Sequence, residues 1–347
     1  MTTDHAPDRP RATNPGRARK LLALAPLAVL LVVGAVVVVR LSNTAVTAPT
    51  AGPTSAVGPS AAELTDIARQ ALKNAKPEQA EPLLKEGVER FPSDQALRLT
   101  YAEVLISRQK FAEAYEQYDR AVALGEDRAE YRFAAGMAAS QAGLSDHAEA
   151  QWLRARELDR ANPQYPLFLA QLQRKAGRNA DARANLMMAV KLDPALAVGW
   201  GTLAAIALDE NHAGPALQHV EKAIALEPSQ GLWRVLKAKI LRRDNRPREA
   251  LDAVLAMPPA ERALTPGALD EIAACHGLLN EPRAAADVYI QRLDEAPEDA
   301  DAAYNAAIWL QRAADPERAA AYAKRAAMLG KAEAKALVES LEKPATP

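Results

Sequence analysis

The feature that most constrains the fold is a series of small side chains that recurs every 34 residues, with one interval of 35, from residue 61 toward the C-terminus. One set comprises Ala80, Ala114, Ala148, Ala182, Ala216, Ala250, Ala285 and Ala319. A second set lies twelve residues before the first and comprises Ala68, Ala102, Gly136, Ala170, Ala204, Ala238, Ala273 and Ala307. A period of this length indicates stacked structural units, each of which buries its apolar surface against its neighbours.

Each interval is predicted to fold as two antiparallel helices. Small side chains let two helices approach closely, and a large side chain then fills the neighbouring space. The position four residues after the first set supplies that side chain in seven of eight cases: Leu84, Tyr118, Trp152, Leu186, Val220, Val254, Tyr289 and Ala323. The composition agrees, because a chain rich in Ala with 16 Gly and 5% aromatic residues favours helices over sheets.

Turn residues recur at fixed places in the same period. Five residues before the second-helix alanines stand Gly143, Gly177, Asn211, Asn245 and Asn280. Gly and Asn tolerate the left-handed conformation that closes a helix, so these residues are predicted to end the first helix of their pairs. The second helices are predicted to end before Pro92, Pro194, Pro228 and Pro297.

These positions resemble the tetratricopeptide repeat, whose second helix carries an A-x-x-x-F-like step. The resemblance covers residues 61 to 330 and implies an all-α fold, an α-solenoid of about eight helix pairs wound as a right-handed superhelix. The position seven residues after the second-helix alanines carries a small residue in the other repeats. The pattern weakens in repeats six and seven, where this position holds Met257 and Arg292. Residues 331–347 are predicted to form a capping helix and tail, since stacked repeats need a polar outer face at their end.

An irregular joint is expected between repeats six and seven. Pro258 and Pro259 interrupt the second helix of repeat six, and the single extra residue of the period falls in this stretch. Thr265 followed by Pro266 predicts the N-cap and the first position of the next helix.

Residues 21–39 are uncharged and mostly apolar. A helix of this length spans about 30 Å, the thickness of a bilayer's hydrocarbon core. The segment therefore predicts a transmembrane helix. The alternative is a cleaved signal peptide, for which Val46, Thr47 and Ala48 offer small residues, although the apolar run is longer than the roughly 7–15 residues usual in such peptides.

Basic residues predict the orientation of this helix. Residues 1–20 contain Arg9, Arg11, Arg17, Arg19 and Lys20, whereas Arg40 is the only basic residue between the span and Arg69. The positive-inside rule therefore keeps the N-terminus in the cytoplasm. We predict a single-pass cell (inner) membrane protein whose repeats lie outside the cytoplasm, in the periplasm of a Gram-negative bacterium. Residues 40–60, rich in Pro, Thr and Ala, are predicted to be a flexible linker.

Charge and motifs exclude several classes of function. Beyond residue 60 the chain carries 37 basic and 42 acidic residues, which argues against general nucleic-acid binding. Cys275 and His276 are adjacent and point about 100° apart on a helix, so they are not expected to form a thiol–imidazole pair. His212 and His219 lie about 10 Å apart along a helix, so a single metal ion cannot bind both. Ser107 and Lys110 match S-x-x-K without the accompanying motifs of penicillin-binding proteins. No catalytic residue, cofactor or metal is predicted, and the chain is not expected to be an enzyme.

The resemblance also implies a peptide-binding groove lined by the first helices. Transferring the family's groove positions gives an apolar ring of Leu99, Phe133, Leu167, Val235 and Tyr304. A second ring contains Arg69, Met137, Gln171, Lys239 and Ile308, and a third contains Lys73, Lys175, Arg243 and Arg312. This mixture suits a peptide with an acidic group or a free C-terminus. Alternatively, basic residues late in a helix complement its dipole and need no ligand.

Two further features concern polar and basic residues. Only Asn305 matches the carboxylate clamp of chaperone-binding relatives, so that ligand is not predicted. The run Arg234, Lys237, Lys239, Arg242, Arg243, Arg246 and Arg248 forms either a basic patch or a solvated helix face.

The sequence therefore predicts a membrane-anchored scaffold that organises or assembles an envelope protein complex through its groove. The alternative is a peptide-binding chaperone or receptor for translocated polypeptides. The expected partners are proteins or peptides and the membrane, without nucleic acid or metal.

Overall fold

The structure, a computed structural model, describes residues 58–342, and all regular secondary structure in that range is α-helical. The first helices are α1 (Ala61–Lys73), α2 (Pro77–Arg90), α3 (Gln95–Ser107), α4 (Phe111–Leu124), α5 (Ala129–Gln141) and α6 (Ser145–Leu158). They are followed by α7 (Gln164–Lys175), α8 (Asn179–Leu192), α9 (Ala197–Asp209), α10 (Ala213–Leu226), α11 (Gly231–Arg243) and α12 (Pro247–Leu255). The last are α13 (Pro259–Leu264), α14 (Ala268–Leu278), α15 (Pro282–Glu295), α16 (Ala300–Arg312), α17 (Pro316–Met328) and α18 (Ala332–Glu342).

The chain divides into two compact units, one ending at Ala161 and the other beginning at Asn162. Unit 1 contains three helix pairs, from α1 to α6. Unit 2 contains five pairs, the short helix α13 and the final helix α18. We call α1, α3, α5, α7, α9, α11, α14 and α16 the first helices of their pairs, and their common surface in each unit the first-helix face.

The core of each unit is built from the small residues of the repeat. All sixteen positions predicted from the 34-residue period are buried, and each of the fifteen alanines among them is at most 1% exposed. The large residues of the A-x-x-x-F-like step are buried with them; Tyr118 and Trp152 are 1 and 2% exposed. These predictions are confirmed. Small side chains bring the helices of a pair together, and the large one closes the space between pairs.

The turns inside the pairs share one conformation. Gly143, Gly177, Asn211, Asn245 and Asn280 all have positive φ angles between 58° and 77°, which confirms the predicted left-handed turn. The same conformation occurs at Ala75, Gln109 and Ala314, with φ of 53°, 59° and 54°. These three residues gave no sequence signal, because neither Ala nor Gln favours the left-handed region.

The joint between repeats six and seven is irregular, as predicted. Helix α12 ends at Leu255, and the short helix α13 begins at Pro259. The predicted helix start at Thr265 was wrong. Thr265 instead ends α13 and donates its hydroxyl to the carbonyl oxygen of Glu261 at 2.8 Å. Gly267, with φ of 77°, is the N-cap of α14, and Gly takes this left-handed conformation without a steric cost.

The N-terminal predictions concern residues outside the described range. These include the basic segment 1–20, the transmembrane helix 21–39 and residues 40–57 of the linker. Within residues 58–342, no helix combines the length and apolar character needed to cross a membrane. The anchor, the linker and the cellular location therefore stay predictions.

Candidate peptide-binding faces

On the first-helix face of unit 1, the predicted groove residues lie at different depths. Phe133 is 2% exposed and Leu99 is partly exposed, so these two pack mainly into the core. Met137 is partly exposed and Lys73 is exposed. Arg69 contacts its neighbour Asp66, with 3.7 Å between the guanidinium and the carboxylate. The ligand-accessible predicted residues of this face are therefore Arg69, Lys73 and Met137, together with part of Leu99.

Glu103 lies on this face at the register of Arg69 and Met137, 34 residues from each. It is 7% exposed. No hydrogen bond or ion pair joins its carboxylate to another described residue. Burial raises the pKa of Glu103 to about 7, and the distant charge of Arg69 lowers it only in part. The sequence pattern does not single out Glu103, because the resemblance implies basic and apolar residues, not acidic ones, at the groove positions.

In unit 2 the apolar ring is also largely internal. Leu167 and Val235 are 7 and 3% exposed. Tyr304 and Ile308 are partly exposed and pack beside Leu337 of α18. The burial of Phe133, Leu167 and Val235 corrects their expected role, since side chains held in the core support the face rather than contact a ligand. Substituting them would disturb folding and could not test binding.

The cations of unit 2 separate into two groups. Four residues of the basic run have carboxylate partners: Lys237 with Glu221 at 2.9 Å, Arg242 with Glu271 at 2.8 Å, Arg246 with Glu249 at 2.6 Å and Arg248 with Glu281 at 3.4 Å. Within residues 162–342, the groove-position cations form no such pair: Lys175, Lys239, Arg243 and Arg312. Arg234 also lacks a carboxylate partner and donates to the carbonyl oxygen of Pro228. The basic run is thus mostly neutralised, and Lys239 and Arg243 are its unpaired members at groove positions.

The surroundings of the unpaired cations leave their charge available. Arg243 donates to the carbonyl oxygen of Leu208 at 3.3 Å, which links α11 to α9. Arg312 lies over the ring of Trp309, with 4.5 Å between the guanidinium carbon and the ring centroid. A carbonyl and an aromatic face orient a guanidinium without cancelling its charge. Both side chains can therefore still pair with an anionic group.

A cavity of about 510 Å³ lies between the C-terminal halves of α7 and α9. It contains two predicted groove residues, Gln171 and Lys175. Its other lining residues are Arg174, Gly177, Asn179, Thr202 and Asp209. The carboxylate of Asp209 lies 3.8 Å from Arg174, so it offsets part of the positive charge. The cavity offers amide and hydroxyl groups beside one unpaired ammonium group, which suits a polar peptide group.

A second cavity, of about 400 Å³, lies among α10, α11 and α12. Its walls include the pairs Lys237–Glu221 and Arg246–Glu249, whose charges neutralise each other. This cavity contains none of the predicted groove residues. Most of the charged groups in its walls are paired with each other, the exception being the carboxylate of Asp252, so it offers no unpaired cation to an anionic ligand.

Cys275 and His276 do not form a reactive pair. Cys275 is fully buried, and burial raises the pKa of its thiol to about 11, which disfavours the reactive thiolate. His276 instead contacts Glu281, with 2.7 Å between Nδ1 and the carboxylate. In the described part of the chain, no three His, Cys, Asp or Glu side chains are grouped so as to hold a metal ion.

A family model described as tetratricopeptide repeat matches residues 71–139, which span the end of α1, all of α2, α3 and α4, and most of α5. The helices that this match covers are of the tetratricopeptide type. The match falls in unit 1, and the same small and large positions recur in the helix pairs of unit 2. No curated protein matches the chain.

Solved structures of tetratricopeptide proteins resemble the chain at low identity. The C-terminal part of a TPR repeat-containing protein from Cytophaga hutchinsonii gives a TM-score of 0.52 at 11% identity, over 81% of this chain and 100% of that chain. YrrB, described as a TPR protein with an unusual peptide-binding site, gives 0.45 at 17% identity over 50% and 89%. Yeast Tom70 gives 0.49 at 17% identity over 77% and 59%. At these identities the likeness concerns the fold alone.

Proposed function

We propose that this chain is a membrane-anchored, non-enzymatic scaffold that assembles an envelope protein complex through the first-helix face of unit 2. The observation that carries the proposal is the set of unpaired cations, Lys175, Lys239, Arg243 and Arg312, at groove positions. Four other cations of the basic run, Lys237, Arg242, Arg246 and Arg248, have carboxylate partners within 3.4 Å, and Arg234 donates to a backbone carbonyl. A surface with unpaired cations beside partly exposed apolar residues suits a protein segment with acidic side chains or a free C-terminal carboxylate.

The unpaired cations also weigh against a purely structural role for these residues. A basic residue late in a helix gains up to about 1 kcal/mol from the helix dipole when it is exposed. That gain explains Arg243 and Arg312, which lie in the last turns of their helices. It does not explain Lys239, which lies earlier in α11 and faces Gly267 at the start of α14. A ligand with a carboxylate accounts for all of them together.

Paired variants test the anion-binding face. Lys239→Gln with Arg243→Gln removes two unpaired charges, and the matched control, Lys237→Gln with Arg248→Gln, removes two charges from neighbouring ion pairs. We expect the first double variant to weaken binding of acidic or C-terminal peptides roughly tenfold, and the control to bind like the wild type. Fluorescence anisotropy with peptides that differ only in C-terminal amidation measures the effect. Equal losses in both variants would contradict the proposal.

The proposed anchor places the repeats outside the cytoplasm, with residues 21–39 in the membrane and residues 40–60 as the tether. The apolar length and the basic residues on its N-terminal side support this arrangement. A reporter that is active only outside the cytoplasm, fused after residue 347, should be active. Activity of a cytoplasm-specific reporter at the same position would overturn the proposed orientation.

The second candidate function is a chaperone or receptor that holds translocated polypeptides transiently. The partly exposed Tyr304 and Ile308 favour it, because apolar side chains bind varied segments. Crosslinking and affinity capture of the 347-residue chain, compared with the fragment 61–347, distinguish the two functions. One stoichiometric partner supports the scaffold, whereas many substoichiometric chains support the chaperone.

A further inference from the structure

Glu103 is a buried carboxylate to which the structure gives no partner. It is 7% exposed, and its neighbours along α3, Ala102 and Val104, are both fully buried. Among the described residues, no donor lies within hydrogen-bonding distance of it. An unpaired carboxylate held in this way costs free energy, because burial removes water from the charge without supplying a counter-ion. A core of this kind would be more stable with an apolar residue at the same place.

The position of Glu103 connects it to the first-helix face. It occupies the register of Arg69 on α1 and Met137 on α5, whose side chains are partly exposed. Among the described residues, the side-chain atoms that are fully enclosed and have no hydrogen-bond partner are His219 Nδ1 and Glu261 Oε1. Neither carboxylate oxygen of Glu103 is among them. The carboxylate therefore keeps an opening to solvent, although most of the side chain is enclosed.

Glu103 is also the only acidic residue at this register of the repeats. The equivalent positions are Arg69, Met137, Gln171, Ala205, Lys239, Ala274 and Ile308. Arg69 does not neutralise it, since the nearest carboxylate to that guanidinium is Asp66, at 3.7 Å. Beneath it, the fully buried Tyr118 of α4 is close enough for the charge of Glu103 to raise the pKa of its phenol further, after burial itself. The surroundings thus contain one distant cation and no hydrogen-bond donor to the carboxylate.

We propose that the first-helix face of unit 1 binds a protein segment through a lysine or arginine side chain that pairs with Glu103. The aliphatic stem of such a side chain would lie along Leu99 and Met137, which are partly exposed, while its charged end reaches the carboxylate. In a site depleted of water, this ion pair is stronger than on the surface. The inference rests on the proposed peptide-binding function and assigns to unit 1 a ligand chemistry opposite to that of unit 2.

The test uses the purified 347-residue chain in detergent and bead-bound pools of acetylated, amidated nonapeptides with random flanks. Each pool has a fixed central residue: Lys, Arg, Gln, Glu or Leu. We expect the Lys and Arg pools to retain the wild type roughly tenfold more than the Gln pool. Glu103→Gln and Glu103→Met should remove this preference. Glu116→Gln, which removes an exposed carboxylate from α4, should keep it.

The outcomes separate this inference from the proposed function. If the wild type prefers no basic pool, or if both Glu103 variants keep the preference, the assignment of Glu103 is overturned while retention by other pools still supports peptide binding. If no pool retains the wild type, both proposals fail. Circular dichroism of both variants confirms folding, and loss of the preference in folded Glu103→Met supports an ion pair rather than a shape effect.

Discussion

Single glycine residues determine how closely neighbouring helices can pack. A methyl group added to Gly136 would overlap the indole of Trp152, which donates from Nε1 to the carbonyl oxygen of Phe133 at 3.2 Å. The same relation recurs between neighbouring first helices of unit 2, where Gly201 meets Trp233 and Gly277 meets Trp309. In each case the missing Cβ makes room for the largest side chain in the chain. These glycines serve packing, because none of them has a positive φ.

Gly136→Ala is expected to lower the free energy of unfolding by about 1–3 kcal/mol, since the added methyl group must displace a buried ring. Helix propensity alone would favour Ala by up to about 1 kcal/mol. The sign of the change in the free energy of unfolding therefore shows whether packing or propensity dominates. Urea unfolding followed by circular dichroism measures the change. The control is Gly214→Ala on α10, where a methyl group meets nothing within 4 Å and a small gain in stability is expected. A stabilised Gly136→Ala variant would contradict the packing argument.

Glu103 should make stability depend on pH. Its pKa is about 7 in the folded chain and 4.5 ordinarily, so the native state binds the proton more tightly than the unfolded state does. Unfolding free energy therefore falls as pH rises from about 4.5 to 7, by on the order of 2–3 kcal/mol. Glu103→Gln should remove this loss and be more stable than the wild type at pH 8. Urea titrations at pH 5 and pH 8 measure these stabilities, and the control Glu116→Gln, which keeps Glu103, should lose stability between the two pH values as the wild type does.

In each described helix pair, the turn between the two helices contains one residue with a positive φ, whatever its side chain. At Ala75, Gln109 and Ala314 an L-residue adopts φ near 55°, at a cost of roughly 1–2 kcal/mol. The tertiary packing of the two helices imposes this conformation, because the following amide must reach back to the first helix. In the last pair, the amide of Asp315 donates to the carbonyl oxygen of Leu310 at 3.0 Å.

Ala314→Gly is expected to stabilise the chain by about 0.5–1 kcal/mol, because Gly relieves the left-handed conformation of an exposed residue. The control is Ala321→Gly, an exposed position inside α17, where the same change should cost about 0.5–1 kcal/mol. Thermal unfolding monitored at 222 nm compares the two. A loss of stability at both positions would mean that the turn stores no strain.

The repeat pattern allowed the helices to be predicted well, whereas the candidate site depended on details that the pattern does not contain. Burial of Ala80 or Ala114 follows from the 34-residue period alone. The burial of Glu103 does not, because it depends on which neighbouring side chains cover that register. The start of α14 at Gly267 rather than Thr265 likewise depends on the path of the preceding short helix. Which cations stay unpaired is decided by contacts between repeats that sequence spacing cannot reveal.

For the whole molecule, the last repeat needs a cover that the other repeats receive from their successors. Helix α18 supplies it: Leu337 is 8% exposed and packs with the buried Ala307 and Ala323. Val338 and Leu341 are partly buried at the same cluster. The outer surface of α18 carries exposed Glu and Lys side chains, which keeps the end of unit 2 polar.

Deletion of residues 332–347 is expected to destabilise unit 2 by roughly 3–5 kcal/mol, because the side chains of Leu337, Val338 and Leu341 no longer cover α16 and α17. The newly exposed apolar surface should also promote self-association. Removal of residues 343–347 alone leaves α18 in place and serves as the control. Thermal unfolding and analytical ultracentrifugation measure both effects. A truncated chain as stable and monodisperse as the control would show that α18 is dispensable.

The placement of the indole rings has a practical consequence for following how the molecule unfolds. The four tryptophans, Trp152, Trp200, Trp233 and Trp309, lie in four different repeats, one in unit 1 and three in unit 2. Replacing three of them with Phe leaves one intrinsic fluorophore in a known repeat. The emission of each such variant then reports when its own repeat opens to water, so the order in which the repeats unfold can be read without an attached dye.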